Sequence, residues 1–334
     1  MRKLRRNRIS RLAGRVFCAL LLALSGSSCE SFFEDLEPCP HGVSLRFVYD
    51  YNMEYANAFP KKVDCLTVLI YGEDGHYIGT RTVAGPELQD EAYRMRLDLE
   101  EGTYRFIAYG GMECKESSFA FTPAPGEDVP MEQEEVMMDA DLTMPVQKRL
   151  HDHFWGELTL TTTDFYTDGT VEMMKNTNNI RIVLQQLNGE PVYARNFDFR
   201  ITDDNTRFAW NNVPLPNGTV TYLPWASGEA STGIMDNDKE MVVAYAEFST
   251  SRLWTGNSPK LLIRTAGGKE VVDIPLNNYL LLLKSELYGK MGKQEFLDRE
   301  SEWSLVFFLD EKNVWIKTSI KINDWTVRLN DTEL

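Results

Sequence analysis

Apolar residues at every second position recur in short runs along most of the chain, a period that suits strands and little else. Val43, Leu45, Phe47 and Tyr49 fall on one face of such a run, with Ser44, Arg46 and Asp50 on the other. Leu66, Val68 and Ile70 repeat the period and stop at Glu73-Asp74-Gly75, a hairpin signal from which Ile78 to Val83 returns. Tyr93 to Leu99 and Thr103 to Tyr109 form another pair across Glu100-Glu101-Gly102. A stretch with Pro123, Pro125, Gly126 and Pro130, then acidic Glu132 to Glu135, interrupts the pattern and predicts a domain boundary near residue 145. Strands resume at Glu157 to Thr163, Asn179 to Leu187, Phe197 to Ile201, Met241 to Phe248, Lys260 to Thr265 and Glu270 to Ile274. Asn188-Gly189 and Gly267-Gly268 supply turns between neighbours. Strands this short, with turn signals about every 8–12 residues, read as all-β sandwiches rather than βαβ units. The expected domains are 41–145 and 146–334.

One segment breaks the period. Leu280, Leu283, Leu287, Tyr288 and Met291 have helical spacing within Leu276 to Leu297, with Asn277 or Asn278 as a cap and Gly289 and Gly292 weakening the second half. Ser304 to Leu309 is then a strand. In the run that follows, Val314, Ile316, Thr318, Ile320 and Ile322 alternate with Trp315, Lys317, Ser319 and Lys321, and Trp325 to Leu329 adds a last short piece.

The amino-terminal end carries an address. Arg2, Lys3, Arg5, Arg6, Arg8, Arg11 and Arg15 precede the apolar run Val16 to Leu24, and small residues lead to Cys29. That is a secretory signal over residues 1–28. Its apolar run is about half of the ~20 residues a spanning helix needs. A cysteine directly after small residues is the bacterial lipobox arrangement, although Gly26 stands where an aliphatic residue is usual. Cys29 is the expected lipidation site, carrying acyl chains such as palmitate, and residues 29–40 form the tether. Each buried CH₂ contributes about 0.8 kcal/mol, so two or three chains hold a protein in the outer membrane. Losing seven basic residues with the signal leaves 28 against 50 acidic ones, a formal charge of −22. Such a surface repels phosphate backbones and excludes nucleic acid as a partner.

Three cysteines remain: Cys39, Cys65 and Cys114. An oxidising exterior permits one disulfide. Cys65 lies in a strand-like run where a free cysteine packs as a small apolar residue, which favours a Cys39–Cys114 bridge and leaves open whether Cys65 takes part. No nucleophile elbow, phosphate-binding glycine loop or CxxC is present, so the chain reads as no enzyme, and no cofactor is expected. His151 and His153 would share a face in a strand, but no third metal ligand is evident, and nothing local supports Cys114 with a distant histidine as a nucleophile pair. Asp236-Asn237-Asp238 and Asp164 to Gly169 lack the full calcium ladder and read as solvated turns. No metal site is expected. Seven Trp and 14 Tyr leave an alternative: a surface lipoprotein that binds glycans for polysaccharide uptake.

Specific residue runs carry a family likeness. Pro38-Cys39-Pro40-His41-Gly42-Val43, Leu45-Arg46-Phe47 and Tyr51-Asn52-Met53-Glu54-Tyr55-Ala56 open it; Tyr71-Gly72-Glu73-Asp74-Gly75 and Ala108-Tyr109-Gly110-Gly111 continue it; Glu295-Phe296-Leu297-Asp298-Arg299 and Ile322-Asn323-Asp324-Trp325 end it. The chain resembles the fimbrillin-associated anchor family, the FimB-like minor subunits of the type V pili of Bacteroides-type bacteria. The resemblance implies two tandem transthyretin-like β-sandwiches behind a lipid, fastening a fimbria to the outer membrane at the cell surface. It also implies strand-donation contacts with a stalk pilin. An anchor that keeps its own first strand, here Val43 to Tyr49, has no vacant groove and ends polymerisation. Arg46 is the sole Lys or Arg between Cys29 and Lys61, so an arginine-cutting protease has one candidate there, which a folded strand would hide. The donated strand would be Trp325 to Leu334 or the one before it.

Overall fold

A computed structural model describes residues 41–139, 145–163, 165–234 and 240–328. In chain order its first strands are β1 (Gly42–Val48), β2 (Cys65–Gly72), β3 (Tyr77–Ala84), β4 (Met95–Leu97), β5 (Gly102–Gly110), β6 (Phe119–Phe121), β7 (Glu135–Met138), β8 (Phe154–Thr162) and β9 (Tyr166–Lys175). There follow β10 (Thr177–Gln186), β11 (Phe197–Asp203), β12 (Arg207–Ala209), β13 (Val220–Tyr222), β14 (Ala226–Ile234), β15 (Glu240–Ser251), β16 (Lys260–Thr265) and β17 (Glu270–Pro275). The last are β18 (Glu302–Leu309), β19 (Trp315–Ile322) and β20 (Trp325–Arg328).

The expected all-β class is what these strands build. A seven-stranded sheet runs β3-β2-β5-β8-β9-β1-β4. Its two halves share one core: Val43, Leu45 and Phe47 of β1 and Val171 and Met173 of β9 pack with Leu66, Val68 and Ile70 of β2 and Phe106 of β5. The sheet therefore folds over on itself. Strand β2 is buried on both faces, because Leu69 and Tyr71 enter a second core with Ile107 and Tyr109. The small sheet β12-β7-β6 contributes Phe119, Val136, Met138 and Phe208 to that second core. A six-stranded sheet, β14-β15-β10-β18-β19-β20, and a four-stranded one, β13-β11-β16-β17, face each other across the rest of it. Ile180, Ile182, Phe248 and Phe307 come from one layer, and Phe199, Ile201, Leu261 and Ile274 from the other.

The division expected near residue 145 does not coincide with a sheet boundary. Strands β8 and β9, beyond it, complete the first sheet, with β9 parallel to β1 from Gly42↔Tyr166 to Val48↔Glu172. The helical segment is present but divided into α1 (Leu276–Leu280), α2 (Leu282–Leu287) and α3 (Lys293–Arg299). Pro275, not an asparagine, precedes the first turn, and the side-chain amide of Asn277 donates to the Trp254 carbonyl oxygen at 2.9 Å. The break between α2 and α3 contains the two glycines that weaken the pattern. Helix α3 is held by a buried ion pair: Arg252 Nε and Nη2 each donate to an Asp298 carboxylate oxygen at 2.7 Å.

Candidate functional site

The resemblance directs attention to the first strand. Strand β1 lies between β9, its parallel partner, and β4, which pairs antiparallel with Val43, Ser44 and Leu45. Val43 and Leu45 are fully buried, and Phe47 and Tyr49 nearly so. Gly42 opens the strand at φ +129°, and a Cβ there would lie 2.0 Å from the Leu97 carbonyl oxygen. Only glycine tolerates both constraints. The slot beside β9 is thus occupied by the chain's own strand. Arg46 departs from expectation in one respect: its side chain is exposed. Protection falls on the backbone, because Arg46 and Phe47 are paired with Thr170 and Val171.

Strand β20, the carboxyl-terminal candidate for exchange, sits at the edge of the six-stranded sheet and among the described residues pairs only with β19, from Ser319↔Arg328 to Ile322↔Trp325. Residues 329–334, the rest of that candidate, lie outside the described residues. On the outer face of this sheet, Val183, Met241, Val306 and Phe308 line an apolar depression of about 420 Å³, flanked by Arg181 and Lys321.

The cysteines pair differently from expectation. Cys65 is bonded to Cys114, which overturns the Cys39–Cys114 bridge; Cys39, like Cys29, lies outside the described residues. Cys65 is the first residue of β2 rather than its middle, so its sulfur reaches the loop that leaves β5. The bridge stitches the start of β2 to that loop, with 49 residues of separation.

The two nearby histidines do not act together. His153 is buried, its ring stacked on Phe119 at 4.6 Å, and burial holds it down at about 3, neutral at any ordinary pH. His151 turns the other way, its Nε2 3.0 Å from Asp64 Oδ1 and 3.9 Å from Cys114 Sγ. Neither Asp64 nor Cys65 stood out as its neighbour in the sequence; the two residues sit side by side at the start of a strand, which was the available clue. Of the weak calcium candidates, Tyr166 to Gly169 form part of β9 instead of a loop, and Asp164 and Asp236 to Asp238 lie outside the described residues.

A further polar group lies deep in the second core. Glu134 is fully buried at the approach to β7, and neither carboxyl oxygen has a hydrogen-bond partner of good geometry. Burial pushes it up to about 7, opposed by the neighbouring Tyr71 hydroxyl. In turn, burial first and then the charge of Glu134 raise the Tyr71 hydroxyl well above its ordinary value.

Comparison with known proteins adds a family and a set of folds. The family model for fimbrillin-A associated anchor proteins Mfa1 and Mfa2 matches residues 36–331. A solved candidate adhesin from Bacteroides thetaiotaomicron is 62% identical, with a TM-score of 0.85 over 89% of this chain and 100% of its own. A candidate polysaccharide-binding protein from the same organism is 26% identical, with a TM-score of 0.74 over 88% of this chain and 99% of its own. The fimbrial anchor protein Mfa2 from Porphyromonas gingivalis shares the fold at 14% identity, with a TM-score of 0.67 over 87% of this chain and 100% of its own. No curated protein sequence matches the chain.

Proposed function

The chain belongs to the family of fimbrillin-A associated anchor proteins, and from that premise we propose that it is the lipid-anchored minor subunit that fastens a fimbria to the outer membrane and terminates its growth. The family is one of structural fimbrial proteins and not of enzymes. A fimbria-associated role follows from membership. Lipidation of Cys29 after removal of residues 1–28, a tether over 29–40, and strand-donation contacts with a stalk pilin are the finer parts of the proposal.

The observation that carries it is the state of β1. A subunit that accepts a neighbour's strand needs an open slot with unpaired backbone groups and an apolar floor. Here β1 fills the place beside β9 with its apolar side chains buried. A chain that keeps this strand offers no acceptor there, while β20, at a sheet edge, has a single partner strand among the described residues. Among the described residues no helix is long and apolar enough to cross a membrane.

Deleting the gene is expected to give fimbriae that are longer and shed into the medium. Cys29→Ala is expected to release the protein, still bound to pilin, from the membrane fraction. Cell-bound fimbriae of normal length in the deletion strain would refute the proposal, and a membrane-retained Cys29→Ala protein would refute its lipid part.

The glycan reading draws on exposed aromatics. Tyr55, Tyr193 and Trp225 are exposed, but each has an arginine over its ring: Arg299 at 4.7 Å, Arg195 at 4.6 Å and Arg149 at 5.7 Å. A face covered by guanidinium is not free to stack on a sugar, so the anchor reading is preferred.

A further inference from the structure

Strands β2, β5 and β8 are neighbours, each antiparallel to the next, so the start of β2, the end of β5 and the start of β8 meet at one end of the sheet. Asp64 and Cys65 come from the first, Cys114 from the loop after the second, and His151 from the segment before the third. One carboxylate oxygen, two sulfurs and the imidazole Nε2 all lie within 4.8 Å of one another. The loop approaches the His151 segment closely because Gly111 has no side chain: at φ +78°, a Cβ there would lie 2.0 Å from the Asp152 carbonyl oxygen and 3.1 Å from the His151 ring. Backbone bonds fix the cluster. The Gly111 amide donates to the Cys65 carbonyl oxygen at 3.0 Å, and the His151 amide donates to Ser118 Oγ at 2.9 Å.

We propose that this cluster is a redox-gated binding site for a divalent metal of the zinc class, closed while Cys65 and Cys114 are bonded and open when they are reduced. Two thiolates, one imidazole and one carboxylate are a ligand set suited to tetrahedral zinc, with bonds of about 2.0–2.3 Å. Ligand atoms in such a shell stand roughly 3.3–3.8 Å apart, a spacing that His151 Nε2 already keeps from Asp64 Oδ1 and Cys114 Sγ to within a few tenths of an ångström. In the bonded state the sulfurs are not thiolates and do not ligate.

Opening takes two electrons from a thiol reductant. The Cys65–Cys114 bond breaks, two reductant thiols become one disulfide, and their two protons pass to the cysteines. Binding the metal then releases those two protons to solvent as both sulfurs become thiolates. A cavity of about 360 Å³, lined in part by Lys62, Lys148, Leu150 and His151, opens beside the cluster and gives the ion a path from solvent. Either state joins the same strand ends, through a covalent bond when oxidised or a metal bridge when reduced.

Cobalt(II) is the probe, added under anaerobic conditions to the full mature chain before and after phosphine reduction. The reduced protein is expected to take one equivalent, with a thiolate charge-transfer band and the visible bands of a tetrahedral ion, both lost on adding zinc. The oxidised protein, folded and unmutated, is the control that needs no variant and should show neither. Cys114→Ser should remove the charge-transfer intensity of one thiolate, His151→Ala should weaken binding at least about tenfold, and Cys39→Ser should change nothing. A reduced wild type whose spectrum matches that of the oxidised protein, or whose bands vanish in Cys39→Ser, overturns the proposal.

Discussion

Glu134→Gln isolates the buried carboxyl of the second core, since the amide has nearly the same shape and never ionises. The Glu134 carboxyl rises from 4.5 in the unfolded chain to about 7 in the folded one. Between those values the folded state holds a proton that the unfolded state has lost. The stability it contributes is therefore fully present below about pH 4.5 and is lost as pH rises through about 7. A pKa difference of that size corresponds to about 3 kcal/mol. Three other groups also titrate with folding. His153, held down at about 3, contributes stability that is present above its unfolded value and lost as pH falls; Asp203, raised to about 6 by burial, and Glu300, raised by burial, act in the same sense as Glu134. All three are common to the two proteins, so the difference between wild type and variant reports Glu134 alone. Urea unfolding with the disulfide intact, at intervals from pH 4 to 8, should show that difference changing by about 3 kcal/mol in favour of the variant. Curves that stay parallel across this range would refute the reasoning.

Gly42→Ala meets both the left-handed φ and the Leu97 carbonyl oxygen; it should cost about 2–5 kcal/mol in urea unfolding and expose the Arg46 bond to an arginine-specific protease. Asp298→Asn leaves the Arg252 guanidinium buried without its counter-charge and should cost about 3–5 kcal/mol, read as a lowered unfolding midpoint. Replacing the pair together, Arg252→Met with Asp298→Leu, should recover most of that loss. Amide exchange in β1 should require global unfolding, whereas β20, with one partner strand, should exchange through local opening.

Local sequence patterns suffice where the contacts are local. The β1 run, the β2–β3 hairpin and the existence, though not every face, of the last strands follow from alternation and turn residues alone. What escaped was set by distant partners. Strand β9 reads Tyr-Thr-Asp-Gly-Thr-Val-Glu-Met-Met-Lys, with little alternation, and becomes a strand because β1 and β8 lie on either side of it. The same distant pairing carries the first sheet past the expected division near residue 145. In β19 the alternation misplaced a face: Trp315 is buried and Val314 exposed, while Ile320 and Ile322 are buried. Leu309 pairs with Trp315 and Phe307 with Ile320, so a step of two on one strand meets a step of five on the other. The odd surplus turns the pleat over, and no composition rule announces it. The apolar run from Val63 places Cys65 inside a strand; β2 instead begins at Cys65, two residues later, and its sulfur bonds Cys114.

On the proposed role, the contrast between β1 and β20 would govern how such a subunit ends a fibre. Withdrawing β1 would expose Val43, Leu45, Phe47 and Tyr49, each worth roughly 1.5–3 kcal/mol of burial, together with its hydrogen bonds to β9. That loss of about 6–12 kcal/mol is of the same order as the whole stability of an ordinary domain. A neighbour's strand could replace β1 only by burying as much apolar surface in the same register, starting from a slot that β1 already fills. Separating β20 from β19 breaks a ladder of four register pairs along one edge. On that proposal the energetic asymmetry would give the chain a direction: contact with a neighbour favoured at the β20 edge and disfavoured at β1, the strand that follows the proposed tether.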